Sequence, residues 1–302
     1  MSKVYRIHIR PGGGLANSKI SFEYCLKQNV LGVGWQVPTE SDEKLTWEQY
    51  EERALTQYKN IQVVRYFKNR IKEGDLLWTR GIDGSYYLAR ALSAWEYYDN
   101  DSARDADIVN ICHVKMLQIS NPDDVPGKVI SCFRASRTIQ EICDDSIATY
   151  SQGLWNRMDT EFIYTIQPQK LSWRSLLTDE QLEDLLFIYL QLNDWIVVPN
   201  SRKKDTMSYE FYLIHKTTKE RAIVQAKTGY SQINLDNLVN CASKVYVYQT
   251  HGIYSGKCGD NVTIISDKEI EGFVKEYEGI IPANISKWFS IQNSVEAQPQ
   301  SS

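Results

Sequence analysis

Residues 220–232, ERAIVQAKTGYSQ, contain a run of alternating apolar residues that predicts a β-strand crossing a hydrophobic core. Side chains alternate between the two faces of a strand, so Gln225 and Lys227 are expected to share one face. The other face carries small apolar side chains, which are those of Ala222, Val224 and Ala226. An amide and an ammonium at the end of such a strand indicate a polar site beside the core.

An acidic residue is expected close to this strand end. Residues 209–214, YEFYLI, predict a preceding strand, and residues 216–220 predict the turn of a hairpin. A hairpin reverses the chain, so the start of its first strand lies beside the end of its second. Glu210, Gln225 and Lys227 are therefore expected to converge.

These groups have the chemistry of a magnesium site. The carboxylate of Glu210, the amide oxygen of Gln225 and the backbone carbonyl of Ala226 are hard oxygen ligands suited to Mg²⁺. Beside such an ion, Lys227 would hold or help to deprotonate an attacking water and offset the charge of a phosphate. The predicted reaction is phosphodiester hydrolysis, with Mn²⁺ as the expected substitute for Mg²⁺. A lysine at the end of a strand also occurs as a simple cap of a sheet edge.

The segments around the hairpin predict alternating helices and strands. Residues 177–192 form an amphipathic helix capped by Thr178, with Gln181 three positions later as in a capping box. Residues 234–242 predict a helix, residues 244–254 and 261–266 predict strands, and residues 267–281 predict a closing helix. Such alternation is typical of a mixed sheet flanked by helices.

About residues 170–290 resemble the PD-(D/E)XK nuclease fold, in the Mrr-type restriction-enzyme variant whose last motif is QxK, here the QAK of Gln225 to Lys227. The resemblance implies that Glu210 replaces the metal-binding Asp, Gln225 the second acid and Lys227 the motif lysine. The chain departs from the family pattern with Glu at the Asp position and Tyr209 at the preceding Pro, and Asp205 is a nearby substitute. The family's acid on the first helix corresponds to Glu183, with Glu180 as the alternative.

The first half of the chain predicts an α+β domain, a small twisted barrel with helices outside it. Its short strands include a hairpin over residues 75–79 and 86–98, and its longest helical stripe covers residues 47–71, with a possible break near Asn60. Residues 134–142, RASRTIQEI, predict a helix capped by Ser136. A boundary near Pro168 divides domains 1–167 and 168–290, and the polar tail 291–302 is expected to be disordered.

Residues 30–37, VLGVGWQV, and 74–98, beginning GDLLWTRGIDGSYYLAR, resemble the PUA-like superfamily, particularly EVE-type domains that hold modified bases in an aromatic pocket. The resemblance implies a base-reading pocket, and a base taken from a duplex needs a planar surface to replace its stacking. The candidates are aromatic residues for stacking and basic residues for phosphates or base edges: Trp35, Trp78, Tyr86, Tyr87, Arg80 and Arg90. Large aromatics also dominate small cores, so burial is the alternative for each ring.

Other basic residues are candidate nucleic-acid contacts. Arg134 and Arg137 would lie at the N-terminus of the predicted helix 134–142, where anions are favoured. Lys203 and Lys204 belong to the loop SRKK. The net charge of −4 and the pI near 5.7 exclude a protein that coats nucleic acid by bulk charge, so any basic groove is expected to be local.

Composition excludes several other classes of protein. The six cysteines contain no CxxC pair and the chain has four histidines, so neither a zinc site nor a disulfide framework is expected. No apolar run approaches the roughly 20 residues of a membrane helix, and the N-terminus lacks the apolar stretch of a signal peptide. A cytoplasmic protein with no membrane partner is expected.

Together these features predict a modification-dependent, type IV-like DNA endonuclease with a base-reading N-terminal domain. A double-strand break needs two active sites, so a homodimer is expected. One alternative is a non-catalytic protein that binds modified nucleic acid, RNA included, and has a degenerate nuclease domain. Another is an RNA-cutting effector of an antiviral defence system.

Overall fold

A computed structural model describes residues 2–12, 16–40, 43–134, 137–167, 171–198, 209–241 and 243–296. The chain divides into two compact units. The N-terminal unit comprises Met1–Val125 and Val129–Gln167, and the C-terminal unit comprises Pro126–Lys128 and Pro168–Ser302. No helix in the described ranges is long and apolar enough to cross a membrane.

The N-terminal unit is a mixed α+β structure. Its strands are β1 (Val4–Ile7), β2 (Val30–Val33), β3 (Leu76–Arg80), β4 (Tyr86–Ala91), β5 (Glu96–Tyr97), β6 (Asn110–Gln118) and β7 (Ile139–Glu141). Its helices are α1 (Ser18–Gln28), α2 (Trp47–Gln57), α3 (Gln62–Arg70), α4 (Asp101–Asp105), α5 (Gly127–Cys132, whose first two residues are grouped with the other unit) and α6 (Asp145–Met158). The predicted break near Asn60 separates α2 from α3.

The seven strands form one sheet curled as a half-barrel, in the order β2-β6-β4-β3-β1-β7, with β5 paired to β6. The predicted small twisted barrel is confirmed in part: the sheet curls, but its described strands do not close, because the end strands β2 and β7 pair with β6 and β1 and not with each other. The strands β1 and β3 are parallel, and the other pairs are antiparallel.

Alternation along β1 gives the half-barrel two different faces. Tyr5, Ile7 and Ile9 belong to the main core, together with buried residues of α1, α2 and α3. Arg6 and His8 therefore lie on the opposite face. Because Arg6 pairs with Trp78 on β3, that tryptophan is on the same face as Arg6.

Two predicted elements of this unit are corrected. Residues 139–141 form the strand β7, paired with β1 through Ile7 and Ile139, and not a helix. The nearest long helix is α6, which begins at Asp145 after the N-cap Asp144. The second arm of the predicted hairpin ends at Ala91, because the chain leaves β4 there and returns as β5 to pair with β6.

The C-terminal unit contains a mixed sheet of five strands in the order β14-β12-β10-β9-β8, and a separate pair β11-β13. Its strands are β8 (Trp195–Val197), β9 (Phe211–His215), β10 (Arg221–Lys227), β11 (Ile233–Asn234), β12 (Lys244–Gln249), β13 (Tyr254–Ser255) and β14 (Val262–Ile264), and its helices are α7 (Asp179–Leu192), α8 (Asp267–Glu276) and α9 (Ala283–Glu296). The capping box of Thr178 and Gln181 and the hairpin β9-β10 are confirmed.

The two faces of β10 have different neighbours. Phe211 on β9 pairs with Val224, and its ring contacts Phe187 of α7 at 6.0 Å, so α7 covers this face. Ile223 lies on the other face, in a cluster with Leu235 and residues of β12. Gln225 and Lys227 follow Ile223 by alternation.

Two further predictions fail in this unit. Residues 235–237 form one 3₁₀ turn where a longer helix was expected. The helix α9 continues to Glu296, so residues 291–296 do not belong to a disordered tail. Its N-terminal turns lie near α7, where the amide of Gln181 donates to the carbonyl of Asn284 at 2.9 Å. A helix that packs on a neighbouring helix does not need a strongly apolar sequence of its own.

Candidate functional site

The acid and the lysine predicted at the hairpin are in contact. The ammonium Nζ of Lys227 lies 3.3 Å from the carboxylate Oε1 of Glu210. The backbone N–H of Glu210 donates to the carbonyl of Val224 at 2.7 Å, which holds Glu210 against β10 just before β9 begins. The Lys227 side chain is 41% exposed and that of Glu210 is 24% exposed, so both groups are accessible to a solvent-borne ligand.

Gln225 and the carbonyl of Ala226 supply further oxygens at this strand end. Gln225 is half-buried, two residues before Lys227 on the same face, and its side chain makes no hydrogen bond to another described residue. The carbonyl of Val224 is directed toward β9, where it accepts from Glu210. Since carbonyl directions alternate along a strand, the carbonyl of Ala226 is directed to the same side.

The start of α7 approaches the same strand end. The hydroxyl of Thr228 donates to the carboxylate of Asp179, the first residue of α7. Asp179, Glu183 and Phe187 follow each other at intervals of four, so they lie along one side of the helix. Phe187 contacts Phe211 on the sheet face opposite Gln225 and Lys227, so the structure places the predicted acid Glu183 on the α7 side of the sheet. The sequence prediction missed Asp179, although an acid beside a helix cap and a threonine after the lysine were both visible.

A buried glutamine holds the loop that follows Lys227. Gln249 pairs with Lys227 in the parallel ladder of β10 and β12 and is 1% exposed. Its amide nitrogen donates to the carbonyls of Gly229 at 2.6 Å and Ser231 at 3.0 Å. Its amide oxygen accepts from the backbone N–H groups of His251 at 2.6 Å and of Ile253 at 3.1 Å.

The exchange Gln249→Ala is expected to destabilise the C-terminal unit, because four backbone groups would lose their hydrogen-bond partner, three of them on half-buried residues. A typical hydrogen bond contributes about 0.5–1.5 kcal/mol, so a loss of about 2 kcal/mol is expected. Denaturant unfolding measures this loss, with Gln232→Ala as the control because Gln232 is exposed in the same loop region. Equal stability of the two variants would contradict this account of the loop.

An all-oxygen donor set fits a small hard cation. One carboxylate, one amide oxygen and one backbone carbonyl leave room for the several waters that Mg²⁺ retains, and they do not match the nitrogen and sulfur ligands typical of zinc. Among the residues that the structure describes, no group of three or more His, Cys, Asp or Glu side chains is placed to hold a metal ion. A magnesium ion here would therefore have few protein ligands.

The N-terminal unit has a cavity of about 540 Å³ beside the GW pair of the sequence. It is lined by Arg10, Gly12, Gly34, Trp35, Gln36, Gln57, Tyr58 and Asp107. Trp35 has a φ of 64° and Asp107 a φ of 51°, which is the left-handed region that non-glycine residues rarely adopt. Such strained residues are concentrated at functional sites, so these two mark the cavity as a candidate binding site.

Hydrogen bonds hold the strained residues of the cavity in place. The indole N–H of Trp35 donates to the carbonyl of Asn60 at 3.0 Å. The carboxylate of Asp107 accepts from the backbone N–H of Gly12 at 2.8 Å and from the amide of Gln36 at 3.3 Å. A side chain on Gly34 would collide with the Asp107 carboxylate.

The other predicted pocket residues lie elsewhere. Trp78 is fully buried on the opposite face of the sheet, where its indole donates to Ser151 at 3.0 Å, so its assignment to the pocket is corrected to the core. Tyr86 is 9% exposed, with the guanidinium of Arg80 5.2 Å from its ring. Tyr87 packs edge-on against Phe22 at 5.4 Å. Only Trp35 of the four predicted aromatics lines the cavity, whereas Tyr58 and Asp107 were missed.

The predicted basic residues are dispersed. Arg90 is half-buried on β4 and Arg80 is exposed at the end of β3. Arg134 and Arg137 are exposed, and residues 139–141 of the predicted helix form the strand β7, so the helix prediction is wrong for these described residues. Lys203 and Lys204, like Asp205 and Ser136, lie outside the described residues.

Comparisons with known proteins add little to this geometry. No family model and no curated protein matches the chain. A solved structure described as "DNA modification-dependent restriction endonuclease AspBHI" is similar with 7% sequence identity and a TM-score of 0.22, covering 89% of this chain and 79% of that chain. A similarity of this size does not assign a fold or an activity.

Proposed function

We propose that the protein is a nuclease whose C-terminal unit hydrolyses phosphodiester bonds of DNA with Mg²⁺, directed by base recognition in the N-terminal unit. The observation that carries the proposal is the contact of Lys227 with Glu210 at the end of a strand that also presents Gln225. The arrangement resembles the PD-(D/E)XK fold in its QxK variant, with Glu210 in place of the usual Asp.

Each residue of the site has a role that its position supports. Glu210 and Gln225 would bind Mg²⁺ together with the carbonyl of Ala226. When bound, the ion would supply positive charge to the phosphate and lower the pKa of a coordinated water. Lys227 would donate to that water or to a phosphate oxygen, and its exposed ammonium can reach a ligand without leaving the strand end.

The proposal is tested by incubating the full chain with duplex DNA containing modified cytosine or adenine, with unmodified duplex of the same sequence, and with single-stranded RNA. Each substrate is assayed with Mg²⁺, with Mn²⁺ and with a chelator. Cleavage of modified duplex alone, dependent on the divalent ion, is the expected result. Cleavage of RNA alone would contradict the proposal and identify an RNA-cutting effector. Binding of one duplex by a dimer would agree with double-strand cutting.

A second candidate function is favoured by one observation, the ion pair between Lys227 and Glu210. Lys227 already neutralises the carboxylate of Glu210, and a magnesium ion would have to compete with it. If the ion pair did not open to admit Mg²⁺, the protein would bind nucleic acid without cleaving it. Binding of modified DNA without cleavage in any metal would identify this second function.

The cavity at Trp35 supports the base-reading part of the proposal. Pockets of 300–1,000 Å³ are typical of small-ligand sites, and about 540 Å³ falls inside this range. A half-buried indole, the phenol of Tyr58 and the carboxylate of Asp107 offer a planar surface and hydrogen-bond groups to a flipped base.

The variant Trp35→Ala is expected to reduce affinity for modified DNA about tenfold, because stacking on an aromatic ring contributes about 1–3 kcal/mol per base. Affinity for unmodified DNA should change less. Fluorescence anisotropy without divalent ions measures both values. Trp47→Ala is the control, since Trp47 is half-buried in the same unit and does not line the cavity. An equal loss in both variants would assign Trp35 to folding and not to recognition.

A further inference from the structure

A second feature of the N-terminal unit lies on the sheet face opposite the main core. Arg6 pairs with Trp78 in the parallel ladder of β1 and β3, so His8 is expected beside Arg80 two residues later. Arg80 pairs with Tyr86 across the hairpin of β3 and β4. His8, Arg80 and Tyr86 are thus neighbours on adjacent strands at the ends of β1 and β3.

Phe133 covers this group of side chains. Its ring centroid lies 5.6 Å from that of His8 and 5.6 Å from that of Tyr86, both in edge-to-face contact. The guanidinium of Arg6 lies 5.6 Å from the same ring. The guanidinium of Arg80 lies 5.2 Å from the ring of Tyr86.

Five arginines surround the two rings and His8. Arg10 approaches His8, with Nε 3.4 Å from the imidazole Nε2. Burial raises the pKa of Tyr86, and the charge of Arg134 opposes this rise. Burial lowers the pKa of Arg6, and the charge of Arg137 lowers it further. We name these residues the arginine cluster: Arg6, Arg10, Arg80, Arg134 and Arg137.

The field within the arginine cluster is positive. Burial and then the charges of Arg10, Arg6 and Arg80 lower the pKa of His8 to about 4 from its ordinary value of 6.5, and no carboxylate is among these causes. The Nδ1 of His8 and the Nε of Arg6 are buried without a hydrogen-bond partner within the described part of the chain.

Three other arginines of the same unit form ion pairs with acids. Arg53 pairs with Glu43 at 2.6 Å, Arg65 pairs with Glu51 at 2.7 Å, and Arg104 pairs with Asp99. In contrast, the partners of Arg6 are the carbonyls of residues 137 and 138 and the amide oxygen of Gln140. Neither Arg6 nor Arg80 forms an ion pair with a described carboxylate.

The aromatic rings of this surface are not available to a base. Phe133 is 7% exposed and Tyr86 is 9% exposed, and guanidinium groups lie over both rings. The rings therefore orient arginines, and what the surface offers a ligand is charge and N–H donors. Arginine forks match the geometry of phosphate oxygens.

We propose that the arginine cluster binds a backbone phosphate of nucleic acid, independently of the base, with Arg80 and Arg10 as the contacting groups and Arg6, Phe133 and Tyr86 as positioning residues. This inference rests on the proposed function in taking nucleic acid as the source of the phosphate. It assigns Tyr86 to the support of Arg80 and leaves base recognition to the cavity at Trp35, whose lining includes Arg10.

Binding is measured on the full chain in a chelator, so that the outcome does not depend on cleavage. The probes are a fluorescent single-stranded oligonucleotide and a strand of the same length in which abasic spacers replace every nucleoside. The variant Arg80→Glu is compared with Lys19→Glu, which makes the same charge change at an exposed position on α1. We expect about tenfold weaker binding of both strands for Arg80→Glu and little change for Lys19→Glu.

Salt dependence gives a second measure of the same contact. On a single strand, one phosphate contact contributes about −0.7 to the slope of log affinity against log salt. The ratio of wild-type to Arg80→Glu affinity should therefore fall about threefold between roughly 50 mM and roughly 200 mM salt. Equal binding by Arg80→Glu and Lys19→Glu, or an effect of Arg80→Glu on the normal strand alone, would overturn the proposal.

His8 reports on the site without any change to its arginines. A bound phosphate offsets the positive field, so the pKa of His8 should rise from about 4 when the abasic strand is added. Nuclear magnetic resonance follows this titration, and His8→Gln identifies the signal among the four histidines. An equal rise with inorganic phosphate would assign the site to free phosphate, and an equal rise with poly-glutamate would assign it to an acidic protein. Either result overturns the nucleic-acid assignment.

Discussion

Replacement of Lys227 by alanine is expected to reduce DNA cleavage at least about 100-fold while leaving DNA binding nearly unchanged, since proton transfer by a positioned group contributes roughly 10²–10⁴-fold. The ammonium is the one described cation in contact with Glu210, and its removal takes away the donor proposed for the attacking water or the phosphate. Cleavage is measured under single-turnover conditions with Mg²⁺, and binding is measured separately in a chelator.

The hairpin contains a matched control for this variant. Lys216 pairs with Asp194 at 3.3 Å, the same distance that separates Lys227 from Glu210, and it lies at the opposite end of the hairpin. The variant Lys216→Ala therefore removes an equivalent surface ion pair and should cleave normally. Wild-type rates in Lys227→Ala would sink the catalytic assignment. Absence of cleavage in the unsubstituted protein, with binding retained, would favour the non-catalytic alternative.

The predictable part of this site is the part encoded locally. Glu210 and Lys227 are seventeen positions apart and joined by a single turn, so strand alternation and hairpin geometry suffice to bring them together. The capping boxes of Thr178 and Ser266 are equally local, because each depends on residues three positions apart. Asp179 was missed because its contact with Thr228 depends on how α7 meets the sheet.

The features that could not be predicted from the sequence depend on pairing between strands that are far apart along the chain. The strand β1 lies between β3 and β7, which are about 70 and 130 residues away along the chain. Residues 139–141 have no local strand signal strong enough to displace a helix prediction, and pairing with β1 decides their conformation. The arginine cluster arises from the same pairing, since Arg6 and Arg137 meet only when β1 and β7 are adjacent.

Trp78 and Trp35 show most clearly what the sequence pattern does not reveal, because both tryptophans lie in strand-like segments close to a turn. Trp35 lies beside a cavity in a left-handed backbone conformation, whereas Trp78 is enclosed by the second face of the sheet and by α6. A period-two pattern of apolar and polar residues predicts which side chains share a face of a strand, but it does not predict on which face of the sheet a helix packs.

The variant Trp78→Ala is accordingly expected to destabilise the N-terminal unit by about 3–5 kcal/mol, the usual cost of truncating a buried tryptophan. The indole has no exposed surface, and its N–H donates to Ser151, which is also fully buried. Loss of the ring would leave a cavity beside Arg6 and an unpaired hydroxyl on α6. Denaturant unfolding followed by circular dichroism measures the change.

Two comparisons separate a core role from a pocket role for this residue. Trp78→Phe keeps most of the ring volume and loses the hydrogen bond to Ser151, so it should cost about 1–3 kcal/mol, less than the alanine variant. Trp35→Ala should cost less still, because Trp35 is only half-buried. If Trp78→Ala instead unfolded like the unsubstituted protein and lost only its selectivity for modified DNA, Trp78 would be a base-contacting residue, and the packing of α6 on this face would have to differ from the structure described.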